Sequence, residues 1–172
     1  VDAGFQADEV MLFSGGLDSL GGAVHELLQE KRSVALVSHR SSGKIDDKQR
    51  NLVRELQARC PRRALHLPVW VNKQEKLGRD YTQRSRSFLF AALGAVVARL
   101  FDLSRIRFYE NGVVSINLPI SAQVVGGRAT RTTHPKVLNG FAEVFSALFE
   151  RPFEVENPFR WKTKAEVVEV IR

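Results

Sequence analysis

The chain contains a single cysteine, Cys60, so neither an internal disulfide nor a four-cysteine zinc site can be built from its 172 residues. Zinc is therefore not supported, and a reducing, cytoplasmic setting is the expectation. No apolar run approaches the roughly 20 residues that a membrane-spanning helix needs; the longest covers 88–98. The first residues lack the basic-then-apolar pattern of a secretory signal. Histidine is scarce, and His25, His39, His66 and His134 have no metal-ligand spacing. With only two tryptophans and two tyrosines, no basic ribbon interleaved with aromatics is available to stack single-stranded nucleic acid. Internal repeats and low-complexity segments are absent. The chain also begins without methionine and ends inside a helical pattern, which reads as a single domain over 1–172 excised from something longer.

What is present is an ordinary globular composition, 44% hydrophobic and 26% charged, with a net charge of +7. The positive balance suits an anionic ligand such as ATP, an acidic substrate or RNA, without choosing among them. Short β-branched or apolar runs at 9–13, 33–38, 64–71, 105–110 and 153–157 alternate with helical periodicity at 17–31, 45–60, 83–101, 135–149 and 164–172. That alternation predicts an α/β fold, a Rossmann-like parallel five-stranded sheet with helices on both faces. Pro68 predicts an early end or an edge position for the third strand. The helix over 83–101 is apolar on nearly all sides between 88 and 98, which predicts burial between the sheet and another element. Residues 111–133 read as a long loop carrying Gly126, Gly127 and Arg128, either a substrate lid or a small inserted strand pair.

The first strand leads straight into Ser14-Gly15-Gly16-Leu17-Asp18-Ser19 and then a helix. Two glycines allow a sharp turn and close approach of backbone N–H groups to a ligand. The helix start adds unpaired donors and partial positive charge, so the device suits an anion, above all phosphate. Asp18 is the natural carboxylate for Mg²⁺ beside a triphosphate. It is also a plausible plain helix cap. Ser14 and Ser19 add hydroxyls. No Lys-Ser/Thr pair follows, so this is not a Walker A loop. In a doubly wound sheet the ligand sits where the strands' carboxyl ends meet. That rule collects residues 14–19, Ser38, His39, Arg40, Glu110, Asn111 and the stretch from Asn157 onward on one rim.

The run Ser14 to Ser19 resembles the SGGxDS motif of the PP-loop ATP pyrophosphatases, with all five fixed positions present. Thr163-Lys164-Ala165-Glu166 and the segment around Arg84-Ser85-Arg86-Ser87 are similar to motifs of the 7-cyano-7-deazaguanine synthase (QueC) branch, although Ser87 replaces the usual asparagine. This resemblance spans residue 9 to the end and implies the adenine-nucleotide α-hydrolase fold. It also implies activation of a carboxylate by ATP with release of pyrophosphate, then attack by a nitrogen nucleophile. In that branch the carboxylate is 7-carboxy-7-deazaguanine and the nucleophile ammonia. By the resemblance, Ser14, Gly15, Gly16, Leu17, Asp18, Ser19, Ser38, His39 and Lys164 would bind ATP and its pyrophosphate. Asp18 would also hold Mg²⁺, and Asp18, Lys164 and Arg86 would be catalytic. Arg84, Arg86, Glu110, Asn111 and Gly112 would face the substrate. The branch's four zinc-binding cysteines have no counterpart, and His39 to Lys44 and the stretch from Glu110 to Pro119 depart from the housekeeping pattern. Those departures resemble QueC-like proteins of bacterial anti-phage systems (Qat and type IV CBASS loci), in which the acceptor would be a protein or nucleic acid. A homodimer is compatible with the sequence. A PP-loop tRNA-modifying enzyme and a non-catalytic nucleotide-binding module are the competing readings. Cys60, before Pro61, is poorly placed for thiolation chemistry.

Overall fold

Val10, Met11, Leu12 and Phe13 are all buried, as are Val34 to Val37, and continuous burial of this kind requires a sheet covered on both faces. A computed structural model describes residues 4–40, 42–71, 86–116 and 132–172. Strand β1 (Glu9–Leu12) pairs in parallel with β2 (Val34–His39), from Glu9 opposite Val34 to Leu12 opposite Val37. The remaining strands are β3 (Ala64–Val69), β4 (Arg105–Arg107) and β5 (Glu154–Glu156), and every pairing is parallel. The order β3-β2-β1-β4-β5 puts β1 at the centre and reverses the winding between β1 and β4. A crevice opens at the carboxyl ends of those two strands.

Successive side chains of β1 and β2 point to opposite faces and sort the core into two layers. Met11, Phe13, Val34 and Leu36 meet Leu27, Val53, Leu56, Phe159 and Val167 on one side. That layer is covered by α1 (Leu17–Val24), α2 (Gly43–Arg59) and α6 (Lys164–Ile171). Val10, Leu12, Ala35 and Val37 meet Ala91, Ala95, Ile106, Leu138 and Phe145 on the other. Here α3 (Arg86–Leu100) and α5 (Pro135–Phe149) pack. Ala91, Gly94, Ala95 and Ala98 form the sheet-facing side of α3, and a Cβ on Gly94 would lie 2.8 Å from Leu12 Cδ2. Small residues bring this helix close to β1.

The expected all-round burial of α3 is corrected: Phe88, Val96 and Leu100 are exposed, the last at 67%. The helix buries its small residues and turns its large ones outward, a choice that composition alone does not reveal. The helix after the Ser14–Ser19 turn is also not uniform. After Val24 it widens into a π-helical turn over His25–Gln29, closed by Glu30 N–H donating to His25 O at 2.9 Å. The 111–133 stretch opens with a short helix, α4 (Gly112–Ile116). Gly126, Gly127 and Arg128 lie outside the described residues, and so does any lid or strand pair there. Pro68 sits in β3, an edge strand as expected. Residues 63 and 69 offer their carbonyls to β2, so Pro68, out of phase with them, turns its missing N–H to the open edge. Among the described residues no helix is long and apolar enough to cross a membrane.

Candidate phosphate and acyl site at the switch point

The turn after β1 is held from below and left open above. Phe13 N–H donates to Val37 O at 2.8 Å, and Gly15 adopts φ of +77°, which glycine takes at no steric cost. Gln49 of α2 lies under the turn, donating to Ser14 O at 3.1 Å, with its Cγ 3.1 Å from where a Gly15 Cβ would stand. Ser19 donates to Gly16 O at 3.0 Å and lies 3.2 Å from Ser14 Oγ, which in turn accepts from Gly16 N–H. Gly16 is the N-cap of α1 and no side chain caps the helix. The leading N–H groups of Leu17 and its neighbours therefore open onto the crevice as anion donors.

Asp18 is buried in the first turn of α1, whose N-cap is Gly16. Lys164 Nζ lies 3.0 Å from both of its carboxylate oxygens across 146 residues of chain. Asn111, at the end of the β4 segment, donates to Asp18 Oδ2 at 2.9 Å. Lys164 is the first residue of α6, an end where the helix dipole disfavours a cation, so its placement there is set by Asp18. A capping box fixes that end: Thr163 Oγ1 accepts from Glu166 N–H, and Glu166 accepts from Thr163 N–H at 2.6 Å. Replacement Thr163→Ala is expected to lower stability by about 1 kcal/mol, measurable by urea denaturation.

Two glycines of α1 let this machinery close. A Cβ on Gly21 would come within 2.9 Å of Val167 of α6, and one on Gly22 within 2.1 Å of the Tyr109 ring. Tyr109 donates to Glu26, which also accepts from Arg107 and Arg32, both at 2.7 Å. Burial works against the Glu26 carboxylate, but the Tyr109 hydroxyl, Arg32 and Arg107 outweigh it and hold it below the usual range. Asn157 fastens the next residue of the β4 segment. It accepts from Glu110 N–H at 3.1 Å and donates to Glu110 O at 2.9 Å. Burial, then the charge of Asp18, push the Glu110 carboxyl up, with Lys164 partly offsetting them.

A cleft of about 280 Å³ runs from Ser14 and Ser19 past Glu110 to Arg86 and Ser87 at the start of α3. Leu12, Phe90 and Phe108 give it an apolar floor. Polar groups at the ends and an apolar middle suit a flat, small organic molecule. No protein-family model matches the chain, and no curated protein is similar to it.

Of the residues singled out in the sequence, Ser14 to Ser19, Glu110, Asn111 and Lys164 meet in the crevice, with Arg86 at the far end of the cleft. Ser38 does not face it. The Ser38 hydroxyl is fully buried, donating to Phe13 O at 2.7 Å, so it braces the turn instead. Because that proton is committed, His66 Nε2, 3.0 Å away, must donate to Ser38. Burial pushes the His66 imidazole below its ordinary pKa. His39 is half-buried with its ring against Phe90. Gly112 is held by its N–H to Lys162 O at 2.8 Å, and a Cβ there would strike Arg160 O at 2.4 Å. Arg84 lies outside the described residues. His134 caps α5, its Nδ1 accepting from Lys136 N–H at 3.2 Å. Cys60 is buried, its thiol given to Leu56 O and pushed up by burial, which is the reverse of a reactive cysteine. Gln49 and Tyr109 carried no sequence signal, being one glutamine on a charged helix and one tyrosine in a short strand.

Proposed function

We propose that the chain is an ATP-dependent, AMP- and pyrophosphate-forming enzyme that activates a carboxylate for attack by a nitrogen nucleophile. The observation that carries this reading is the convergence of Lys164 and Asn111 on buried Asp18, beside a helix start with no side-chain cap. Uncapped N–H groups, hydroxyls and a lysine cradle a polyphosphate, and positioning with charge neutralisation is most of what nucleotidyl transfer asks of a protein. Among the described residues no cluster of three His, Cys, Asp or Glu side chains forms, so an all-protein metal cage does not fit. One buried carboxylate does fit Mg²⁺ that completes its shell with phosphate oxygens. Bound there, the ion would neutralise charge developing on the phosphates. Lys164 would then turn from Asp18 towards the leaving pyrophosphate, a short movement for a side chain that is 55% exposed.

Arg86 at the distal end of the cleft suits a substrate carboxylate, because its planar fork matches two oxygens. The apolar floor suits a heterocycle of the 7-carboxy-7-deazaguanine type. The test is pyrophosphate release from ATP and Mg²⁺ with 7-carboxy-7-deazaguanine and ammonium. Substrate-dependent pyrophosphate and AMP in equal amounts are expected. ATP binding without either product would leave a nucleotide-binding module. Release that depends on a protein or nucleic acid, and not on the deazapurine, would favour the defence-type acceptor or tRNA modification.

A further inference from the structure

Among the described residues, every buried or half-buried carboxylate but one is paired with a cation. Asp18 lies 3.0 Å from Lys164, Asp46 lies 2.9 and 3.3 Å from Arg50 and Arg40, and Glu26 is held by Arg32 and Arg107 at 2.7 Å. Glu9 has Arg105 at 2.9 Å, and half-buried Glu156 has Arg107 at 2.9 Å. Glu110 alone, among the buried and half-buried carboxylates of the described residues, has neither an ion-pair partner nor a side-chain hydrogen bond. An unpaired carboxylate is costly to bury, so its place asks for an explanation.

The backbone of Glu110 is pinned in place. Asn157 spends its full hydrogen-bonding capacity here. It accepts from Glu110 N–H and Phe159 N–H and donates to Glu110 O and Ser115 Oγ, at 2.9 to 3.2 Å. Glu110 is thus fixed at both backbone groups, and its side chain lines the cleft together with Ser14, Ser19 and Arg86. The next residue, Asn111, holds Asp18. The carboxylate stands where the acyl group and the phosphate loop would meet.

Resting on the function proposed above, we propose that Glu110 is the catalytic base of the second half-reaction, taking the proton from the nitrogen nucleophile as it attacks the activated acyl group. The nitrogen lone pair forms the C–N bond. One N–H proton passes to the Glu110 carboxylate. The bond from the acyl carbon to the phosphate oxygen breaks, and AMP leaves with that electron pair. Glu110 then returns the proton to water. Its raised affinity for protons brings it nearer the working pH of a base. The charges facing it are Asp18 on α1, Lys164 on α6 and Arg86 on α3. The other buried and half-buried carboxylates are paired with cations, His66 is bound to Ser38, His134 is spent on a helix cap, and His39, its ring nitrogens without partners, packs against Phe90 without lining the cleft.

The test compares wild type with Glu110→Gln and Glu110→Asp in the full chain. Three readouts are taken: substrate-dependent ATP–pyrophosphate exchange, amide formation with ammonia, and hydroxamate formation with hydroxylamine, a nitrogen nucleophile unprotonated at neutral pH. In Glu110→Gln, exchange should fall far less than amide formation, and its persistence shows that the variant folds and binds both substrates. Transfer to ammonia should fall about 10²- to 10³-fold, and transfer to hydroxylamine should fall far less. The acid limb of the wild-type pH profile should vanish, and Glu110→Asp should recover part of the rate. Wild-type ammonia transfer in Glu110→Gln would overturn the role. Equal loss of exchange and both transfers would overturn it too, by assigning Glu110 to structure or binding. If the wild-type chain itself shows no exchange, the activation reading fails, and this role with it.

Discussion

Asp18→Asn is expected to lower pyrophosphate release about 10³-fold while the protein stays folded. The carboxylate is the negative charge that Lys164 and Asn111 share among the described residues, and it would hold the Mg²⁺ of the proposed reaction. An amide keeps the shape and an acceptor oxygen for Asn111 but carries no charge. Stability should change little, because Lys164 is more than half exposed and regains water when its partner is neutral. The two halves are separable: a pyrophosphate assay reports the first and a thermal melt the second. Wild-type turnover in the variant would remove Asp18 from the chemistry. A large drop in melting temperature would make it a structural residue.

The second large effect lies beneath the site. Arg107→Ala should cost about 3–5 kcal/mol, because it strips the shared cation from two buried carboxylates. Arg107 Nη1 lies 3.2 Å from Glu9 and 2.7 Å from Glu26, and Nε lies 2.9 Å from Glu156. Arg105 and Arg32 each reach only one of the buried pair, so neither can replace it. The melting temperature should fall by roughly 10 °C or more for a chain of this size. The pH dependence gives an independent check. Glu26 is held below its ordinary pKa, so in wild type its contribution is present above that ordinary value and fades as pH falls through the lower folded value. Without Arg107 both carboxylates bind protons more readily in the folded state. The deficit of the variant should therefore be greatest near neutrality and narrow as the medium is acidified. Denaturant titrations at pH 7 and near pH 5 would show it, and a gap independent of pH would contradict the argument.

Local grammar made much of this fold legible. Runs buried on both faces announced β1 and β2, and Pro135 with His134 announced the start of α5. Helical periodicity over 164–172 announced α6. What stayed hidden depends on contacts between distant segments. Nothing local ties Glu26 to Arg107 or Tyr109, which lie 81 and 83 residues further along. Gly22 shows no reason for being glycine until the ring of Tyr109 is found against it. Lys164 was marked by resemblance to a known motif and not by spacing, since no periodicity spans 146 residues. Ser38 was placed on the correct rim, but a strand residue one position from the end can turn inward, and this one does.

The proline of β3 bears on how the molecule behaves in company. An edge strand in a parallel sheet is a ready template for another chain. The outward-facing rungs of β3 are those in phase with Ala64, His66 and Pro68, and the last of these has no hydrogen to offer. A second chain laid along that edge would lose the bond at its final rung and could not extend a ladder past it. The same residue that marks a sheet boundary in the sequence thus acts as a stop against recruitment of neighbours during crowding or partial unfolding.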